Sequence, residues 1–156
     1  MNQALETFAA KIGLPDPANE RLRLAFAYAC ANRVRHLLEE PAVEDCLVVL
    51  ERFLQGTADL AALEGARIAA ARLANGHQGS KSIDGCGHAA VSATYAVANA
   101  VQGNALAAAS YAAYAAVYAQ GGYAAVAERV SFEPEFSWQL ASLSALARKV
   151  PTHESG

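Results

Sequence analysis

From Ala89 to Ala127 the chain runs 39 residues without one Asp, Glu, Lys, Arg or His, and that stretch holds eighteen alanines and five of the six tyrosines. Such a segment has to be packed against its own chain or placed in a membrane. A spanning helix needs about 20 strongly apolar residues. Here only Leu106 is a leucine, Gln102, Asn104 and Gln120 interrupt the run, and no asymmetric Lys/Arg anchors flank it. The expectation is therefore no membrane span. One unbroken helix would be about 58 Å long at 1.5 Å per residue, too long for a small domain. The pattern predicts two helices, 84 to 101 and 104 to 119, broken at Gln102-Gly103-Asn104 and buried as a central hairpin. Alanine suits this role, having the highest helix propensity and letting neighbouring helices approach closely. Tyr111, Tyr114 and Tyr118 follow i, i+3, i+7 spacing and share one face.

The 156 residues, 54% apolar and 17% charged, predict one largely helical domain over 1 to 150 and exclude disorder for most of the chain. A net charge of −3 gives no basic footprint, so nucleic acid is not an expected partner. Cys30, Cys46 and Cys86 are odd in number and widely spaced, and the chain opens Met-Asn-Gln-Ala-Leu-Glu without a signal-peptide pattern. Reduced thiols and a cytoplasmic location follow as expectations.

No segment alternates with period two, whereas helical spacing recurs throughout. A first helix is predicted over 2 to 12, ending at Gly13. Asp16 and Pro17 read as the start of a long helix to about Glu39, with Leu22, Phe26, Ala29, Cys30, Val34 and Leu37 inward. Further helices are predicted over 42 to 55, stopped by Gly56, and over 58 to 75, with Arg67 and Arg72 as rim residues. Gly76 to Ser82 connects the two halves, and the next helix starts near Ser82 or Asp84. Gly121-Gly122 ends the second hairpin helix. A short helix over 123 to 130 and a last one over 135 to 148 follow, and the tail from 151 to 156 is expected to be disordered. The fold class is all-α, a bundle of about six to eight helices.

Candidate chemistry is sparse. Cys86 and His88 are the one local Cys/His pair, and His36, His77 and Cys46 lie on other elements, so neither a metal site nor a cofactor is expected. Cys86 lacks a well-placed base, since His88 is two residues away. Gly85 and Gly87 lack the strand and the lysine of a phosphate loop. His36 and Glu40 are one turn apart on a helix and could pair. Trp138, the only tryptophan, serves either the core or an interface.

Several segments in order resemble the immunity-five-like family of bacterial immunity proteins. Ala29-Cys30-Ala31-Asn32-Arg33-Val34-Arg35-His36-Leu37-Leu38-Glu39 is similar to its opening helix. Phe53-Leu54-Gln55-Gly56, Ala66-Arg67-Ile68-Ala69-Ala70-Ala71-Arg72 and Gly87-His88-Ala89-Ala90-Val91-Ser92-Ala93-Thr94 follow in its order, and Glu135-Phe136-Ser137-Trp138-Gln139 resembles its closing Glu-x-x-Trp-Gln. The resemblance covers about residues 22 to 143. The chain departs from it at Thr94, Tyr95, Ala98 and Asn99, where the family usually carries further histidines, and no Leu-Pro follows Trp138-Gln139. The resemblance implies a non-catalytic protein that binds and neutralises a cognate toxin. The polar and aromatic ends of the bundle are the candidate contact, Arg33, His36 and Glu39 on one helix and Glu135, Trp138 and Gln139 on another. Beside it stands the reading that Trp138 locks the last helix onto the core while Glu135 caps its N-terminus. Two alternatives to the toxin-binding role remain. One is an enzyme or small-ligand protein with a pocket of His88, Tyr95, Tyr111 and Tyr114. The other is a module that self-associates through its alanine faces.

Overall fold

The computed structural model describes residues 2–76 and 86–149. The connecting segment after Gly76, the start expected near Ser82 or Asp84, His77 and the tail after Pro151 lie outside them, and so does the Cys86 side chain. Among the described residues every element is helical and there is no strand. The seven α-helices are α1 (Gln3–Lys11), α2 (Glu20–Arg33), α3 (Pro41–Gln55), α4 (Leu60–Asn75), α5 (Cys86–Gln102), α6 (Ala105–Ala127) and α7 (Glu133–Lys149). Short 3-10 turns span Pro17–Asn19, Arg35–Leu37 and Arg129–Phe132.

The punctuation is chemical. Asn2 accepts a hydrogen bond from the Leu5 amide and opens α1, and Asp59 does the same for α4 through the Ala62 amide. Gly56 ends α3 in the left-handed conformation at φ 81°, which costs glycine nothing because it has no Cβ. Asp16 receives the Ala18 amide, yet what it starts is the 3-10 turn, with α2 following at Glu20. The expected helix to Glu39 stops at Arg33. Val34 instead precedes a 3-10 turn that Leu37 ends, and Leu38 and Glu40 are extended. Pro41 disfavours helical backbone at the residue before it, so the chain leaves the helix and re-enters at Pro41. His36 and Glu40 consequently never share a helical turn.

α5 and α6 form the antiparallel hairpin that the alanines predict, joined through Gly103 and Asn104. Ala93, Ala96 and Ala100 of α5 and Ala108, Ala109, Ala112 and Ala115 of α6 are all buried. α2 packs across both helices and also meets α3 and α7. One core cluster joins Phe26, Leu47, Leu50, Leu63, Val97 and Leu143, so residues on both sides of the connecting segment share it. Arg67 ties α4 to the hairpin: its Nε donates to the Val101 carbonyl at 2.7 Å, a cation on a helix C-terminus, and its Nη1 meets Glu64 at 2.6 Å.

The expected stop at Gly121-Gly122 is present as a break. Helical structure continues to Ala127, but Gly122 sits at φ 61°, ψ −147° inside it. A Cβ on Gly121 would lie 2.6 Å from the Ala125 Cβ, closer than real contacts come. Gly122→Ala is expected to cost about 1–3 kcal/mol, because a side chain is forced into a region essentially reserved for glycine. Thermal unfolding checks this, and an unchanged melting temperature would refute it.

The prediction that residues 89 to 119 are uniformly buried needs correction. Leu106, Tyr111 and Tyr114 are 37, 39 and 40% exposed, and Tyr123 beyond them is 49% exposed. The alanines face α2 and α5. The tyrosines, too large for so close a helix contact, sit beside it: Tyr111 and Tyr118 stack on Tyr95 and His88 of α5, and Tyr114 turns to Phe132. No described helix is long and apolar enough to cross a membrane.

Candidate functional site

The break at Gly122 and the 3-10 turn after it carry the chain back across α6, so that Phe132 packs edge-on to Tyr114 with ring centroids 5.1 Å apart. Phe132 and Phe136 lie at 5.5 Å, and with Ala113, Val117, Ala125 and Val126 they build a second small core. α1 closes the other side. Asn2 Nδ2 donates to the Phe136 carbonyl and to Gln139 Oε1, both at 3.2 Å, while its Oδ1 caps α1. One asparagine thus starts α1 and fixes it to α7. Gln139 Nε2 in turn reaches the Ala109 carbonyl at 2.7 Å, tying α7 to α6.

Between these three walls lies a cleft of about 770 Å³ that opens to solvent. Its floor is α6, through Leu106, Ala107, Ser110, Ala113 and Tyr114. Phe132 and Phe136 form one wall, and Gln3, Leu5 and Glu6 form the other. Val126, Ala127 and Arg129 close the end at which Tyr114 meets Phe132. Leu106, Ser110 and Tyr114 recur every four residues, the spacing of one helical face.

The six residues expected at a partner contact are placed differently from one another. Arg33 Nε and Nη2 grip the Glu135 carboxylate at 2.8 and 3.2 Å, and the guanidinium carbon sits 4.4 Å from the Trp138 ring centroid. These residues come from the two helices read as separate patches, and the structure joins them into one internal clamp between α2 and α7. Glu135 is 6% exposed and Gln139 2%. With its amide and carbonyl both bonded inside, Gln139 offers a partner no edge, and the Glu135 carboxylate is already held by Arg33. Trp138 is half-buried and packs on the main core. His36 and Glu39 are exposed.

The alternative pocket is not assembled as expected either. Tyr95 stacks on Tyr111 at 5.3 Å, whereas His88 stacks on Tyr118 at 5.3 Å and meets Tyr123 edge-on at 5.2 Å. Of His88, Tyr95, Tyr111 and Tyr114, only Tyr114 lines the cleft. The tyrosine spacing on α6 is the one signal that pointed toward it. The α1 and Phe132 walls had no signal of their own, because both are brought in by tertiary contacts.

Burial drives the Cys30 thiol pKa far up, and the Cys46 thiol is raised mainly by burial and then by Asp45, so both are held as unreactive thiols. The Tyr28 hydroxyl, donating to Glu51 Oε2 at 2.6 Å, is pushed up to about 12, first by burial and then by that bond and charge. Among the described residues no group of three or more His, Cys, Asp or Glu side chains could hold a metal ion. No family model, curated protein or solved structure matches the chain.

Proposed function

We propose that the chain is a non-catalytic binding protein of the immunity type, which occupies and neutralises a cognate protein toxin. The observation that carries a binding role is the exposed part of α6, where Leu106, Tyr111, Tyr114 and Tyr123 are each more than a third exposed beside an open apolar cleft. Tyrosines combine a large apolar body with a polar tip and are enriched at protein interfaces. The toxin-neutralising role rests on the ordered motifs from Ala29 to Gln139 and on nothing more specific. The contact surface proposed is the exposed part of α6 and the cleft, in place of the Glu135–Gln139 patch.

The test expresses the chain beside a toxin encoded by an adjacent gene. Wild-type protein is expected to restore growth and to bind the toxin in vitro. Tyr114→Ala is expected to weaken binding about 30-fold, the cost of an interface anchor of about 2 kcal/mol, while loss of its edge contact with Phe132 costs only about 1 kcal/mol of stability. Protection that survives Tyr114→Ala and Leu106→Asp would move the contact elsewhere, and no protection by the wild type would end the reading.

A small-ligand role is the second reading, because about 770 Å³ falls within the range of small-molecule sites. A metabolite that raises the melting temperature of the wild type but not of Ser110→Phe, a change at an exposed position of the cleft floor, would favour it.

A further inference from the structure

We propose that the cleft receives one amphipathic α-helix of the partner, its apolar stripe against Leu106, Tyr114, Phe132 and Phe136, a carboxylate toward Arg129 and a basic side chain toward Glu6. The proposal rests on the reading of the chain as a protein-binding protein and specifies what the partner presents.

Charge carries the first part of the argument. Among the described residues Glu6 and Arg129 form no ion pair and no side-chain hydrogen bond, although both line the cleft. They stand at different places along it. Glu6 lies on α1, one turn beyond the Asn2 that is bonded to Gln139, and Arg129 lies beyond Val126, where Tyr114 meets Phe132. An occupant with an apolar stripe, an acid for Arg129 and a base for Glu6 satisfies both groups.

Backbone chemistry carries the second part. The floor is the interior of α6, whose amides and carbonyls are bonded within the helix, and two carbonyls at the cleft that accept side-chain donors, those of Ala109 and Phe136, already have them. An extended peptide would bring unsatisfied backbone groups against walls with nothing to return. A helix arrives with its own backbone closed and needs only side-chain pockets. Shape agrees. From Leu106 to Tyr114 the floor runs about 12 Å at 1.5 Å per residue, close to two helical turns. A cleft open to solvent leaves the outer face of such a helix in water, whereas a small ligand is normally enclosed over most of its surface.

The probe is a displayed library of 16-residue peptides, helix-favouring at the fixed positions and randomised elsewhere, selected on the full chain. Binders are expected to share an apolar i, i+3 or i+4, i+7 stripe flanked by an acid and a base. Arg129→Glu is expected to weaken the selected peptides about fivefold, and changing their acid to lysine is expected to restore binding. Glu6→Lys does the reverse for their base. Selection that yields no binder, binders without a helical stripe, or binders indifferent to both charge reversals would overturn the proposal. Protection against a toxin without such peptides would remove this proposal and leave the immunity reading intact. Such peptides without any protection would remove the immunity reading alone.

Discussion

Arg33→Ala is expected to destabilise the fold by about 3–5 kcal/mol, more than Glu135→Ala, although both break the same pair. The asymmetry comes from burial. The Glu135 side chain is 7% exposed and the Arg33 side chain 36%. Without Arg33 the carboxylate stays in the interior with no opposite charge, and few waters can reach it. Without Glu135 the guanidinium can hydrate at its exposed edge and still lie over Trp138 at 4.4 Å. The loss then comes down to the hydrogen bonds, about 1.5–3 kcal/mol. Replacing both residues by Met and Leu should recover much of the Arg33→Ala deficit, because an apolar pair of similar volume removes the stranded charge. Urea unfolding of the three variants decides it. Equal costs for the two single variants would mean that Glu135 is hydrated after all, and the clamp would lose its significance.

That clamp also marks where sequence reasoning reaches its limit. Arg33 and Glu135 are 102 positions apart, and nothing local to either residue names the other. Each was read correctly as a polar group at a helix end, and the tertiary fold brought the two ends together. Local chemistry was legible elsewhere. Gly56 was read as the stop of α3, the break at Gly103 as the hairpin turn, and Gly121-Gly122 as a helix end where the structure has a break inside α6. Each of these depends on a single backbone position. The end of α2 was missed because Val34 and Leu37 are three apart, and that spacing satisfies a 3-10 turn as well as an α-helix. The exposure of α6 was missed for a different reason. Lack of charge was read as burial on every side, but alanine can line a close helix contact while tyrosine sits beside it, partly exposed. The candidate cleft depends on that exposed part, with walls supplied by residues distant in sequence.

Phe26→Ala is expected to cost about 3–5 kcal/mol, toward the upper end of that range. Phe26 is fully buried on α2, the helix that packs against α3, α5, α6 and α7. Its core cluster includes Ala93, Ala96, Ala100, Ala108 and Ala112. The cost of a large-to-small change depends on how far the surroundings relax into the space left behind. Long side chains can swing into a cavity, but alanine has no side-chain torsion with which to do so. On the side of α5 and α6 the gap could be filled only by moving whole helices, which are already in close contact through their alanines, so relaxation is left to the leucines of the cluster such as Leu47 and Leu50. Phe26→Leu keeps most of the volume and should cost less than half as much, at about 1–1.5 kcal/mol. Because a domain of this size is stable by only about 5–15 kcal/mol, the alanine variant should show a large drop in its denaturation midpoint with an unchanged slope. A Phe26→Ala cost no greater than that of Phe26→Leu would show that the alanine-lined interior collapses freely, and the hairpin would then be a looser contact than its buried alanines imply.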